Sequence, residues 1–491
     1  MRTGPQMKNM RIVSKSTASV ACALTFLIAW APEASAIPPA SQLNFGVKTL
    51  FPTYSPNASD YSVRCANSPV VVHVHGQSGW QVAVNGGAFR TGDYNQTAPL
   101  QANRAFGVKV RKVGQTATTD FHVRCLPANF PTYSYSRSGP AYPRFVSVDR
   151  DHVGDTNQFA IVFDDHGAPI WWINDLIHAP RVLPGGRLLW FDTHPGVGQW
   201  GIHRLDGPLL RVLDPVGHSS DDHDNLPVSN GTDYTGSYVQ HCCEDLSAYG
   251  GPTSAAVVTV ELQQVGRNGA LLWDWKGRDH ISLDETGRHW PMVLAKPRPS
   301  GGYDVEHWNS IALDGPDVIA SFRQLDAVYK IDKATGNIIW KLGGTHTPQS
   351  LTVVGDPNPS YPFSSQHYAR IQPDGTLTVF DNHTGLGAPR AVRYRIDQTT
   401  GTATLLESIS DPEVPDSRCC GSAKRFANGD WLIDWGGLDP PNGDPIGGYR
   451  SDGTRTFLLS MDDHYSYRAE AVPSTVSGAD FRQAMNAMYG G

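Results

Sequence analysis

The chain has 491 residues, of which 40% are hydrophobic, and its formal net charge is −7 at pH 7. A chain of this length can bury a large core, whereas an acidic balance is the opposite of a nucleic-acid-binding footprint. After the first 36 residues, no apolar run is long enough to span a membrane. The composition therefore predicts a globular protein that binds neither nucleic acid nor membrane.

Residues 1–36 predict a secretory signal peptide. Basic residues precede an apolar run from Ala18 to Trp30, and small residues follow at a cleavage site that ends in Ala36. Cleavage there removes four basic residues and one acidic residue, which leaves a mature chain of 455 residues with a formal charge of −10. We expect a soluble exported protein, either periplasmic or secreted.

Residues 37–128 predict a small N-terminal β-sandwich domain. The region holds short strand-like runs without the repeat found later in the chain, and its length is ordinary for one domain. The stretch 126–144 is rich in proline, serine and tyrosine, which predicts a linker. The second domain, 129–491, takes up the rest of the chain.

The second domain repeats short β-rich hairpins of two alternating kinds. The first kind has six copies, which are Phe159–Trp172, Gly201–Leu213, Val257–Trp275, Ala327–Trp340, Val392–Leu406 and Gly448–Leu459. The second kind turns at glycine and comprises Val182–Phe191, Ile311–Phe322, Ile371–Phe380 and Arg425–Trp435. Two hairpins make one four-stranded blade. The sequence therefore predicts an all-β protein, a six-bladed β-propeller preceded by the small β-sandwich, with a short helix at Ser477–Met488. A β-sandwich array is the alternative.

Four histidines occupy one position in the repeat. Each stands eight residues before the glycine of a turn between two apolar runs, and they are His178, His223, His307 and His367. Equivalent positions of a radially repeated fold face one axis, so we expect these imidazoles to converge. Imidazole titrates near neutral pH, and a ring of imidazoles therefore predicts a catalytic site. A single histidine of this kind would more often cap or pack a strand.

Six cysteines remain after the signal peptide, and an exported protein permits disulfides. Cys65 and Cys125 each end a Val-Arg-Cys strand of the N-terminal domain, so we expect them to pair. The doublets Cys242–Cys243 and Cys419–Cys420 should be oxidised, either to each other across neighbouring repeats or as two vicinal bonds. Neither doublet has the spacing of a typical zinc site, and we expect no metal.

Three short blocks occur in a fixed order: His-x-Asn-Ser, Ser-x-Arg and Gln-His. They lie in DVEHWNSIALDGPDVIASFRQLDAVYKIDKATGNIIWKLGG, from Asp304 to Gly344, and in FSSQHYARIQPDGTLTVFDN, from Phe363 to Asn382. These stretches resemble the bacterial arylsulfate sulfotransferase (arylsulfotransferase) family. Weaker similarity covers most of residues 150–470. The blocks are specific in combination and order, although each is weak alone.

The resemblance implies a six-bladed propeller enzyme with a central site. Such an enzyme transfers a sulfuryl group from an aryl sulfate donor to a phenolic acceptor by a ping-pong reaction, without a nucleotide sulfate donor or other cofactor. By motif, His367 corresponds to the nucleophile that becomes sulfated, and Arg323 to the sulfate-binding arginine. His223, His307 and Asn309 correspond to supporting catalytic residues.

Two further residues are candidates for substrate binding. His178 lies in the histidine register but outside the matched blocks, and Arg370 follows the nucleophile position by three residues. The chain also departs from the family pattern. Phe322 replaces a serine before the arginine, the loop before Gln366 lacks the cysteines of some members, and the cysteine doublets are additional. The resemblance implies small-molecule partners, and we leave a homodimer open.

Other functions also fit a propeller. Ala327–Trp340 resembles a blade repeat of pyrroloquinoline-quinone-type propeller dehydrogenases, and a propeller can bind a glycan or protein without catalysis. A third alternative uses the same histidines as metal ligands, which needs three neutral imidazoles directed at one ion. A non-catalytic scaffold has no need of four imidazoles in register, so sulfuryl transfer is the leading hypothesis.

Overall fold

The computed structural model describes residues 37–140, 142–150, 156–437, 445–461 and 466–490. The predicted signal peptide, residues 1–36, lies outside them. In the described part of the chain, no helix combines the length and apolar character needed to cross a bilayer. Strands predominate throughout, which confirms the all-β prediction.

Two sheets build the N-terminal region. Their strands are β1 (Asn44–Gly46), β2 (Asp60–Val63), β3 (Val70–His75), β4 (Trp80–Val84), β5 (Tyr94–Ala98), β6 (Ala105–Lys112) and β7 (Thr119–Cys125). One sheet has the order β1-β3-β5 and the other the order β2-β7-β6-β4. Side chains of both sheets, including Phe45 and Val108, share one apolar core. Cys65 and Cys125 are disulfide-bonded as predicted, with Cα atoms 5.6 Å apart.

The second region is also built from sheets, with two α-helices. Its strands are β8 (Tyr133–Arg137), β9 (Phe145–Arg150), β10 (Phe159–Asp164), β11 (Pro169–Asn174), β12 (Ile177–Leu183), β13 (Arg187–Asp192), β14 (Gln199–Arg204), β15 (Leu209–Leu213), β16 (Asn225–Pro227), β17 (Asp233–Glu244), β18 (Ala255–Val265), β19 (Leu271–Lys276), β20 (Tyr303–Asp304), β21 (Trp308–Asp314), β22 (Asp317–Phe322), β23 (Ala327–Ile331), β24 (Ile338–Gly343), β25 (Thr352–Val354), β26 (His367–Ile371), β27 (Leu377–Asp381), β28 (Arg390–Asp397), β29 (Thr402–Ile409), β30 (Ser422–Arg425), β31 (Trp431–Asp434), β32 (Pro445–Tyr449), β33 (Arg455–Met461) and β34 (Glu470–Ala471). The helices are α1 (Trp290–Ala295) and α2 (Gly478–Tyr489).

Within the described residues, these strands form six sheets with a common pattern. Consecutive strands pair in the sheets β12–β15, β16–β19, β21–β24, β26–β29 and β30–β33, and the remaining sheet has the order β34-β9-β10-β11. Strands β20, β25 and β8 add to the edges or ends of three sheets. Every hairpin that the sequence predicts is present as a paired set of strands.

The first strands of neighbouring sheets contact one another in a ring. Strands β9 and β34 contact β12, and contacts continue from β16 to β21, β26, β30 and back to β34. Between β12 and β16 the guanidinium of Arg181 donates to the carbonyl of Asn225. Strand β34 comes from the C-terminal end of this region but pairs with β9 near its start. Both ends of the region therefore meet in one sheet and close the ring.

Apolar side chains fill the spaces between neighbouring sheets. One cluster joins Trp275 and Val260 of one sheet to Trp308 and Tyr329 of the next. Of the hairpin tryptophans Trp273, Trp275 and Trp340, the last two are buried, whereas Trp273 is partly buried and packs against the same core as Trp275. Replacing a tryptophan of this kind with alanine typically costs about 3–5 kcal/mol, so these clusters fix the positions of the strands that carry the site.

The predicted linker is partly a strand. Residues 133–137 form β8, which pairs with β33, so that Tyr135 lies opposite Leu459. The local Tyr-Ser-Tyr-Ser alternation directs alternate residues to one face, which is the pattern of a strand with one buried side. Tyr133 and Tyr135 pack against the adjoining core. Because the stretch is rich in proline and serine, its composition predicts a linker even though residues 133–137 alternate as a strand does.

The C-terminal helix lies where the sequence predicts it. Ser477 caps α2, since its hydroxyl accepts from the backbone N–H of Asp480 while the Asp480 side chain returns a bond to the Ser477 backbone. Phe481 is buried in the core beneath the helix. Arg482 forms an ion pair with Asp60 at 2.8 Å. Helix α2 therefore ties the second region to the N-terminal sheets.

Each cysteine doublet is a vicinal disulfide. Cys242–Cys243 lies at the end of β17, and Cys419–Cys420 lies just before β30. Of the two arrangements that the sequence left open, the structure therefore has the one within each doublet rather than a bridge between repeats.

Candidate active site

The four histidines lie at the same end of four first strands. His178 is the second residue of β12 and His367 is the first residue of β26. His307 directly precedes β21, and His223 stands two residues before β16. The equal spacing in the sequence thus corresponds to equal placement around the ring of first strands.

A local irregularity directs these side chains away from the sheets. The pairing register shifts immediately after His178 and after His367, and again just after His307. Ala179, His307 and Tyr368 have φ angles of 48°, 52° and 54°, which side chains other than glycine rarely adopt. Bulges of this kind re-aim a side chain at the end of a strand. Here they lie beside His178, His307 and His367, three of the four histidines.

The imidazoles gather around one tyrosine. The ring centroids of His223 and His307 are 5.0 Å apart, with the rings nearly perpendicular. The Tyr467 ring lies 4.4 Å from His178, 5.9 Å from His223 and 6.5 Å from His367, centroid to centroid. The structure thus brings together all four histidines that the sequence singles out, and it adds Tyr467 to them.

Hydrogen bonds fix the proton of His367 on Nδ1. Nδ1 lies 2.7 Å from Oδ1 of Asn382, and the amide nitrogen of Asn382 donates to the carbonyl of Cys420 at 3.1 Å. A carbonyl can only accept, so the Asn382 oxygen must be the atom facing His367, and Nδ1 must donate to it. Nε2 therefore has the lone pair, and it accepts a hydrogen bond from the Cys420 backbone N–H at 3.3 Å.

The surroundings of His367 keep it unprotonated. Burial and the positive charge of Arg323, with a smaller contribution from His223, lower the pKa of His367 well below its usual value, and the bond to Asn382 does not offset them. Both desolvation and nearby cations disfavour a second proton on the ring. At neutral pH His367 is therefore an unprotonated nucleophile that needs no separate base.

His223 is the cationic imidazole of the cluster. Its Nδ1 lies 3.0 Å from Asp221 and 3.2 Å from Asp222. Burial alone would lower the pKa of His223, but the carboxylates of Asp221 and Asp222 outweigh burial and raise the pKa well above its usual value. Because Nδ1–H is held by carboxylates, the Nε2–H of this imidazolium is directed elsewhere and can donate to a substrate.

His307 also has a carboxylate partner but remains neutral. Its Nδ1 lies 2.7 Å from Oδ2 of Asp304, and Arg298 donates to the same oxygen at 2.6 Å. Burial lowers the pKa of His307 despite the opposing effect of Asp304, and the charges of His223 and Arg323 lower it further. Two neighbouring histidines with different environments therefore differ in charge, which is a common basis for separate acid and base roles.

Arg323 and Asn309 approach His367 from the sheet β21–β24. Arg323 donates to the carbonyl of Arg418 at 3.1 Å and to the side chain of Gln324 at 3.0 Å, which leaves its other N–H groups for a ligand. Asn309 is fully buried, and its amide nitrogen donates to the carbonyl of Gln366 at 2.7 Å. Arg323 therefore supplies charge near the nucleophile, whereas Asn309 positions the backbone that carries it.

Arg370 pairs with a buried carboxylate. It donates to Oδ2 of Asp224 at 2.9 Å, and the same carboxylate pairs with Arg468 at 3.0 Å and Arg181 at 3.7 Å. Burial opposes ionisation of Asp224, but these three arginines outweigh it and lower its pKa to about 2. The structure thus places Arg370, a candidate for substrate binding, in an ion-pair hub that joins four sheets around Asp224.

Removing the carboxylate of this hub should destabilise the protein strongly. In an Asp224→Ala variant three guanidinium groups lose their common partner in a buried place, which should lower the free energy of unfolding by about 3–5 kcal/mol. Asp374→Ala is the matched control, because it removes an aspartate–arginine pair of 2.6 Å with Arg393 in which Asp374 is 49% exposed. That control should cost less than about 1 kcal/mol. Urea unfolding followed by tryptophan fluorescence measures both, and equal losses would contradict the hub.

Sequence reasoning missed the groups that hold His367 in place. In the sequence Asn382 is only the end of a hairpin turn, and Cys419–Cys420 is only an unusual doublet. In the structure the doublet segment packs closely on Gly437, where a Cβ atom would lie 2.6 Å from the carbonyl oxygen of Cys419. Tyr467 has one weak signal in the sequence, since Ser466–Ala469 is part of the weaker similarity to the same family.

The structure also bears on the metal alternative. Two groups of three potential ligands lie close together in the described residues, Asp164–Asp165–His166 and Asp221–Asp222–His223. Each group combines one imidazole with two carboxylates, so neither is the three-imidazole site considered above. The Nδ1 atoms of His307 and His367 are occupied by Asp304 and Asn382.

Comparison with known proteins gives a family match over part of the chain. Residues 212–439 match the family described as Arylsulfotransferase (ASST). This segment includes His223, His307, Arg323 and His367, and the match confirms the family inferred from the sequence. No curated protein matches the chain.

Solved structures give only distant likenesses. An auxiliary nutrient binding protein from Bacteroides ovatus is similar at a TM-score of 0.32 and 10% identity, over 87% of this chain and 87% of that one. A functionally unknown protein from Desulfotomaculum acetoxidans is similar at a TM-score of 0.34 and 9% identity, over 72% of this chain and 95% of that one. Likenesses at these scores carry no argument about function.

Proposed function

We propose that this member of the arylsulfotransferase family transfers a sulfuryl group from an aryl sulfate to a phenolic acceptor through a sulfohistidine on His367. One observation carries the proposal: the unprotonated Nε2 of His367 lies in the same buried cluster as the cationic His223 and Arg323. A neutral nucleophile beside two cations suits a donor that is an anion and releases an anion. The family match supports sulfotransferase activity in general.

The first half-reaction loads His367. Its Nε2 attacks sulfur, an N–S bond forms, and the bond from sulfur to the aryl oxygen breaks, so that the electron pair leaves with that oxygen. The imidazolium of His223 protonates the leaving phenolate. The Nδ1–H of His367 remains on Asn382, which favours the charged ring. The Cys420 N–H must leave the Nε2 lone pair as sulfur approaches.

The second half-reaction returns both histidines to their starting states. The neutral His223 accepts the proton of the incoming phenol, whose oxygen attacks sulfur. The N–S bond breaks and its electron pair returns to Nε2 of His367. His223, oriented by Asp221, thus acts first as an acid and then as a base. The sulfuryl group is conserved throughout, and no nucleotide, oxidant or metal enters the balance.

The proposal extends to the architecture and setting of the enzyme. The closed ring of first strands and the four-stranded pattern of each sheet support a propeller whose six sheets are its blades. The N-terminal sheets would be a separate β-sandwich domain of residues 37–128. Cleavage near Ala36 would deliver the enzyme to the periplasm or the exterior, where vicinal disulfides can form. A homodimer remains a proposal for its assembly.

The pH profile of kcat/KM should have a broad plateau that includes pH 6.5, the usual imidazole pKa. Catalysis needs His367 neutral and His223 protonated. If both had their usual pKa, this combination would never predominate, but the pKa of His367 is lowered and that of His223 is raised. Activity should therefore persist below pH 6.5 and fall on the alkaline side only when His223 loses its proton. Asp221→Asn should lower the His223 pKa and move the alkaline limb to lower pH. An unmoved limb would contradict the assignment.

A single assay tests the proposed function. Purified protein is mixed with p-nitrophenyl sulfate and a simple phenol, and nitrophenolate release is followed with and without the phenol. Release that requires the phenol, together with formation of its sulfate ester, supports the proposal. A protein that releases no nitrophenolate but contains a bound quinone would favour the dehydrogenase alternative. Absence of both would favour the binding propeller.

A further inference from the structure

Tyr467 stands among the imidazoles but has no assigned task. Its ring contacts His178, His223 and His367 at the distances given above, and the residue is 4% exposed. Its hydroxyl is buried and has no hydrogen-bond partner among the described residues. A buried hydroxyl without a partner costs free energy, typically about 1–3 kcal/mol. Such groups are therefore rare unless a ligand or water satisfies them.

The backbone of Tyr467 is held on both sides. Its N–H donates to Oδ1 of Asp149 at 2.8 Å, and its carbonyl accepts from the N–H of Gly421 at 3.0 Å. The hydroxyl of Ser466 donates to the same Asp149 oxygen at 2.9 Å. On the other side, the guanidinium of Arg468 lies 4.9 Å from the centre of the Tyr467 ring. The backbone of Tyr467 is thus fixed in place, while the described part of the chain offers its hydroxyl no hydrogen-bond partner.

We propose that the Tyr467 hydroxyl is a further catalytic group, which donates a hydrogen bond to a sulfuryl oxygen of the donor and of the sulfohistidine. This inference rests on the proposed function. The hydroxyl keeps its proton throughout, and no bond of Tyr467 breaks. A preorganised donor beside the place where charge develops stabilises the transition state more than the ground state.

The charge state of the phenol agrees with a donor role. Burial raises the pKa of Tyr467, although the charges of His223 and Arg468 act against this effect. The phenol is therefore a hydrogen-bond donor at neutral pH rather than a second nucleophile. His223 remains the group that exchanges a proton with the phenolic substrate, so Tyr467 and His223 have separate tasks.

Tyr467→Phe tests this inference, because it removes the hydroxyl and keeps the ring. We expect kcat/KM for p-nitrophenyl sulfate to fall by about 10²-fold, as for loss of one oxyanion donor, with most of the loss in kcat. The rate of sulfohistidine formation, measured by rapid quench and intact mass, should fall equally. The thermal midpoint should not fall, since the deleted hydroxyl bonds to none of the residues that the structure describes. Tyr54→Phe is the matched control, because Tyr54 is a buried tyrosine of the N-terminal region whose hydroxyl also lacks a partner within the described ranges.

The outcomes separate this inference from the function on which it rests. If the wild-type protein releases no nitrophenolate, both the function and the role of Tyr467 are wrong. If the wild type is active and Tyr467→Phe retains its kcat/KM and loading rate, the role of Tyr467 alone is wrong. A loss in both Tyr467→Phe and Tyr54→Phe would indicate a general effect on folding and would also overturn the assignment.

Discussion

Replacing His367 with asparagine is expected to abolish cleavage of p-nitrophenyl sulfate. Asparagine retains a polar side chain of similar reach but has no nucleophilic lone pair like that of Nε2. Loss of a covalent nucleophile typically lowers kcat by about 10⁴-fold or more. Initial rates of nitrophenolate release measure the loss. After a quench with donor alone, intact-mass analysis should detect one added sulfuryl group on the wild type and none on the variant.

A control variant distinguishes this effect from a general disturbance. His280→Asn changes a histidine that stacks on Trp275 away from the cluster, at a ring-centroid distance of 5.1 Å, and its turnover should match the wild type. Mapping of the adduct to a residue other than His367, or wild-type turnover by His367→Asn, would contradict the proposed nucleophile. Asn309 positions Gln366 rather than reacting, so its loss should only weaken cleavage.

Local patterns in the sequence predict the hairpins well. In Ala327–Trp340 two strands and their turn lie within a few residues of each other, so side-chain alternation and turn chemistry specify the pairing. The eight-residue spacing from each histidine to the glycine of the following turn predicts a shared location for the same reason. His307 and His367 occupy equivalent positions in two hairpins. Because the sheets repeat around a ring, equivalent sequence positions lie at equivalent places in the fold.

Long-range pairing and charge cannot be read from such patterns. Strand β34 pairs with β9 across most of the second region, and only this closure brings Tyr467 beside His178. From the sequence Arg370 is a candidate for substrate binding, and only the fold brings it to Asp224. The protonation states of His223 and His307 cannot be predicted from the sequence either, because both residues have an aspartate nearby in the sequence. Their surroundings in the fold raise the pKa of one and lower that of the other.

Arg323→Met should have the second-largest effect and should also change the pH profile. The guanidinium is expected to bind sulfuryl oxygens, so its removal should lower kcat/KM by about 10²–10³-fold. Arg323 is also a principal cause of the lowered pKa of His367. Methionine removes that positive charge, so the pKa of His367 should rise. Because activity requires the neutral ring, the acid limb of the profile should move to higher pH.

Arg323→Lys separates the two effects of this residue. Lysine keeps the positive charge near His367 but lacks the planar fork that binds two oxygens at once. Its acid limb should therefore remain close to that of the wild type, while kcat/KM still falls. Profiles of kcat/KM against pH for the wild type and both variants provide the measurement. If the methionine variant loses activity without any shift of its acid limb, Arg323 does not set the charge of His367, and the electrostatic part of the mechanism is wrong.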